Sequence, residues 1–144
     1  MTTKQRYEGI QSLMGNFNKW GCHFTVLVTI IEEWYRENVV PDYCCDFINM
    51  IHICTSKGWI DSEFYVKDAL AILNYFTGKK WTRRKVEKLP AKLLPNEWTE
   101  CNWYNPETKL EHFTRRNINS LWDSNTVKNG YIRYYYIYTC GEIE

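Results

Sequence analysis

Apolar positions recur at helical spacing over residues 22–37, where Phe24, Leu27, Val28, Ile31, Trp34 and Tyr35 fall on one face. Val26 and Ile30 add a second apolar face, so this helix is expected to be buried on most sides. Its β-branched residues (Thr25, Val26, Val28, Thr29, Ile30 and Ile31) favour a strand. Length decides for the helix, because the run exceeds ordinary strands. Glu32 and Arg36 form an i,i+4 pair on it. Pro41, in "VVPDYCCDF", breaks it. The pattern predicts a second helix over 43–56, with Cys44, Phe47, Ile48, Ile51 and Cys54 along one side and Gly58 at C′. A third helix follows "WID". Asp61 is its expected N-cap, Val66, Ala69, Leu70, Leu73 and Phe76 form its stripe, and Gly78 ends it.

The texture then changes. "KKWTRRKVEKLPAKLLPNEW" is basic and carries two prolines, which predicts a connection or an irregular strand. Beyond residue 97 the reading turns to β. "EWTECNWY" and "LEHFTRR" alternate, "NSLWDS" is a short strand, and "YIRYYYIYT" is aromatic and β-branched. "NPET" and "KNG" supply turns between them. In the last strand Tyr134, Tyr136 and Tyr138 share one face, and Tyr135 and Ile137 the other. Helices first and antiparallel strands second is an α+β layout in one domain over 1–144. It divides into a helical half (about 15–78), a basic connection (about 79–96) and a β half (about 97–140).

The 144 residues are 44% hydrophobic and 17% aromatic, enough for one core. Eighteen basic and 17 acidic side chains leave a net charge of +1, which argues against a bulk nucleic-acid or strongly acidic partner. Nucleic-acid contact has one hint, the run Lys79, Lys80, Arg83, Arg84, Lys85 and Lys88 around Trp81, whose commoner meaning is a solvated loop. No stretch is apolar enough to span a membrane. The polar start "MTTKQRYEGIQ" lacks a signal-peptide core, so a cytoplasmic protein with free thiols is expected. Cys44, Cys45, His52 and Cys54 cluster, but no C-x-x-C pair exists, so no metal site and no cofactor is expected.

Cys22 stands at the start of the first helix, after Gly21. There the helix macrodipole favours the thiolate, and the glycine allows a tight turn. A cysteine nucleophile needs a base. His23 adjoins Cys22 but points about 100° away around a helix. His52 lies within the second helix. His112, in "LEHFTRR", precedes Asp123, in "LWDS"; on neighbouring strands of a hairpin the two can meet. Cys22, His112 and Asp123 are therefore a candidate triad.

The pieces "GNFNKWGCHFTVL", "EHFT" and "LWDSNTVKNGYIRYYYIY" resemble the papain-like cysteine peptidase superfamily. The nearest likeness is to the bacteriocin-processing peptidase domains of ABC exporters and their small phage-borne relatives. "GWIDSEFYVKDA" also resembles a small phage and bacterial family grouped with these folds. The resemblance covers about residues 15–139. It implies a papain-like fold, with Cys22 as nucleophile, His112 as base and then acid, and Asp123 orienting His112. It implies acyl transfer, namely hydrolysis of a peptide or isopeptide bond in a protein or peptide substrate. The family's oxyanion Gln stands six residues before its cysteine; here that position is Asn16, and Asn18 is a second candidate. His23 stands where such sites carry a small or apolar residue. These departures also suit an inactive papain-like interaction module, phage-derived and acting on a host protein.

Overall fold

The computed structural model describes residues 21–116 and 125–141. Among the described residues three helices come first: α1 (Cys22–Asn38), α2 (Phe47–Ser56) and α3 (Ala69–Thr77). Strands β1 (Trp81–Val86), β2 (Glu97–Asn105) and β3 (Leu110–Thr114) follow, then the short α4 (Asn125–Lys128) and β4 (Tyr131–Cys140). The layout is α+β, with N-terminal helices and a C-terminal antiparallel sheet.

α1 forms despite its β-branched residues because nearly every one of its apolar side chains is buried. Phe24, Leu27 and Ile30 are fully enclosed, and Val26, Val28, Ile31 and Trp34 nearly so. Burial of each contributes about 1.5–3 kcal/mol, against a helix-propensity cost of roughly a few tenths per β-branched residue.

α2 begins at Phe47 rather than at 43, because Asp46 caps it by accepting from the Asn49 N–H at 3.1 Å. Its buried side is Met50, Ile51 and Cys54, while Cys44 and Ile48 of the expected stripe are exposed.

The cap of α3 is Asp68, not Asp61. Asp68 accepts from the Ala71 N–H at 3.0 Å. Asp61 instead accepts from the Glu63 and Tyr65 N–H groups, closing a loop pinned by an Ile60–Val66 bridge. Gly78 ends α3 at φ 68°.

The sheet order is β1-β4-β2-β3, and every neighbouring pair is antiparallel. The basic run is therefore not a connection over its whole length: residues 81–86 form an outer strand along β4, with Arg83 opposite Tyr138 and Lys85 opposite Tyr136. Trp81 is buried and donates from Nε1 to the Thr77 hydroxyl at 2.8 Å, while Arg83, Arg84 and Lys85 are exposed. The β2–β4 register shifts between Asn102 and Trp103. "NSLWDS" lies outside the described residues.

Helices α1–α3 pack on one sheet face through Trp81, Trp98 and Tyr138. A smaller cluster of Cys101, Trp103 and Val127 covers part of the other. Tyr134, Tyr136 and Tyr138 follow one another along a single face, with ring centroids 5.2 and 6.2 Å apart. Gly130 turns the chain from α4 into β4 where a Cβ would lie 2.2 Å from the Thr126 carbonyl oxygen and 2.5 Å from that of Tyr104. Among the described residues no helix is long and apolar enough to cross a membrane.

Candidate functional site

Cys22 is the first residue of α1, and Gly21, its N-cap, supplies no side-chain hydrogen bond. The thiol meets β3 at the outer margin of the sheet. Its environment reverses the expectation of a resting thiolate: the pKa is raised. Burial is the largest cause. Hydrogen bonds from the Phe113 and His23 backbones oppose it, and the Glu100 charge reinforces it. Burial thus outweighs the helix terminus, and Cys22 rests as a neutral thiol at neutral pH.

Two concavities meet at Cys22. A groove of about 380 Å³ runs between α1 and β3, bordered by Gly21, Cys22 and Thr25 on one side and His112 and Arg115 on the other. The pleat of β3 puts Phe113 on one face, where its ring packs 4.5 Å from that of His23. His112 and Thr114 belong to the opposite face, where the Trp103 Nε1–H donates to the Thr114 hydroxyl at 2.8 Å. The groove follows the strand's outer margin, so residues of both faces contribute to its wall, and Cys22 and His112 border one space. Arg115 holds that wall to α1: its Nε donates to Glu33 at 2.9 Å and its Nη1 to the Thr99 carbonyl at 3.0 Å.

The second concavity is a basin of about 930 Å³ on the other side of Cys22, over the sheet face that carries the tyrosines. At its edge His23 has a partner that its sequence neighbourhood did not announce. Its Nδ1 lies 2.5 Å from Oε2 of Glu100, a fully buried carboxylate on β2. The Tyr138 hydroxyl donates to the other Glu100 oxygen at 2.7 Å. Burial, and then the Glu100 charge, push the Tyr138 hydroxyl well above its ordinary value. The signal for Glu100 was its place in "EWTECNWY", on the same alternating face as Trp98.

Asn16, Asn18 and Asp123 lie outside the described residues. All six cysteines are free. The Cys44–Cys54 cluster disperses: Cys44 is exposed beside Arg36, Cys45 faces the Val28 carbonyl, and Cys54 is in the core. Among the described residues no group of three or more His, Cys, Asp or Glu side chains could hold a metal ion. Comparison of the chain with protein-family models, curated proteins and solved structures found no match.

Proposed function

We propose that the chain is a papain-like thiol hydrolase that acts on a peptide or isopeptide bond. The observation that carries this reading is that Cys22, at a helix N-terminus, and His112 border the same groove. Because Cys22 rests as a thiol, attack requires a base at the moment of reaction. His112 takes the Cys22 proton as the sulfur adds to the substrate carbonyl carbon. The C–N bond then breaks, and His112 returns the proton to the leaving amine, leaving a thioester on Cys22. Water gives a proton to His112 and adds to the thioester. The carboxylic acid departs, and the proton goes back to sulfur. Asp123 orients His112, and Asn16 or Asn18 with the Cys22 backbone N–H holds the oxyanion.

The half-buried, uncharged state of Cys22 favours a second reading, a non-catalytic interaction module on the same scaffold. Iodoacetamide labelling with mass-spectrometric site mapping separates the two. A hydrolase labels at Cys22 well ahead of buried Cys54 and Cys101, and His112→Ala slows that labelling by about tenfold or more. Equal labelling of Cys22 in wild type and His112→Ala, or a rate no faster than Cys101, refutes the hydrolase.

A further inference from the structure

The basin beside Cys22 has a chemistry of its own. Four of its lining side chains are cations (Lys67, Arg83, Lys109 and Arg133) and two are carboxylates (Glu63 and Glu111), a basic excess of two. Glu111 is already paired with Arg133. Rings and cations alternate across three strands along the floor and, at Lys85, just beyond it. The Arg83 guanidinium lies 4.3 Å from the Tyr136 ring, the Lys85 ammonium 3.9 Å from the Tyr134 ring, and Arg133 4.4 Å from the Tyr104 ring. Glu100 lies behind this floor, engaged by His23 and Tyr138.

We infer that this basin binds an acidic segment of a polypeptide and presents it to Cys22; only the last clause rests on the hydrolase reading. Three features select this occupant. Lys67 and Lys109 are exposed and, among the described residues, form no ion pair, so they can take a ligand's carboxylates without breaking an existing contact. The tyrosine rings are flanked by cations and by one another, which leaves less ring face for stacking bases than a nucleic-acid platform offers. Glu63 and Glu111 at the rim interrupt the positive field that a continuous phosphate backbone needs, but not the separate sites that discrete carboxylates use.

Isothermal calorimetry on the full chain carrying Cys22→Ser tests this without requiring any chemistry. The probes are a short glutamate-rich peptide, its glutamine counterpart, a lysine-rich peptide and a single-stranded oligonucleotide. The glutamate peptide binds about tenfold or more tighter than the glutamine one, and added salt weakens it. K67E/K109E turns the basic excess of two into an acidic excess of two and removes that preference. If the double variant does not fold, judged by circular dichroism, K67Q/K109Q gives the same direction with a smaller loss. Equal binding of the glutamate and glutamine peptides overturns the inference, as does no peptide binding, indifference to the variants, or tighter binding of the oligonucleotide. An unreactive Cys22 with the glutamate preference intact would remove the hydrolase and leave the basin's ligand standing.

Discussion

Glu100 offers the sharpest test of how the sheet holds the head of α1, because its contributions to stability and to Cys22 run in opposite directions. In Glu100→Leu the volume is roughly kept, but the fully buried Tyr138 hydroxyl loses its acceptor. An orphaned buried hydroxyl costs about 1–3 kcal/mol. His23 also loses its partner, but its side chain is 15% exposed and reaches water, so this adds at most about 1 kcal/mol. The expected sum is roughly 1–4 kcal/mol, or about 3–12 °C in Tm for a chain of this size. Glu100→Gln keeps an acceptor for Tyr138 and should lose less than half as much. Both variants remove a negative charge that raises the Cys22 pKa. The thiol becomes more acidic, and iodoacetamide labelling of Cys22 at neutral pH should quicken. That charge is a minor cause beside burial, so the gain is about threefold or less. Urea unfolding, calorimetry and site-resolved labelling read the two effects separately. A Leu variant as stable as wild type would refute the reasoning: desolvation of the carboxylate would then cancel its hydrogen bonds. Slower labelling in Glu100→Gln would refute the electrostatic part.

Two further outcomes follow from the described geometry. Gly130→Ala should lower stability by about 2 kcal/mol or more in urea unfolding, because the new methyl meets two backbone carbonyls that side-chain motion cannot relieve. Stability should also fall at alkaline pH. Burial pushes the Cys54 thiol up to about 12 and the Cys101 thiol, also through burial, to about 11, from an ordinary 9.0. A raised folded-state pKa stabilises the fold while the thiol is neutral in both states, and that contribution is lost as pH rises from 9.0 towards 12. Urea midpoints should decline over that window, and less steeply in Cys54→Val. An identical slope would show that Cys54 does not carry the effect.

Much of this arrangement is legible in the residue pattern, and the parts that are not have physical causes. α1, the end of α3 at Gly78 and the shared face of Tyr134, Tyr136 and Tyr138 follow from periodicity and from glycine's freedom at positive φ. Asp61 and Asp68 are equally good caps on local grounds, and only the Ile60–Val66 bridge assigns 61–66 to a loop. β1 carries three successive exposed cations, and its pairing with β4 is a long-range contact that local pattern cannot supply. Cys22 and His112 were legible as candidates through residue type and order. The raised state of the thiol was not, since it depends on enclosure by β3 and on Glu100, 78 positions away (100 minus 22).

The two outer strands of the sheet also bear on how the chain behaves in company. A strand at a sheet margin offers unpaired N–H and C=O groups to any other strand that drifts past, and this is a common origin of aggregation. Along β1 that margin is studded with Arg83, Arg84 and Lys85, so a second copy would bring like charges together before its backbone could pair. Along β3 the stopper is α1 itself, with Cys22 bonded to the Phe113 backbone and Glu33 held by Arg115. Cys22 is thereby part of what keeps the sheet from growing, whatever its reactivity. Exchanging Cys22 for a bulky side chain would alter self-association as well as reactivity.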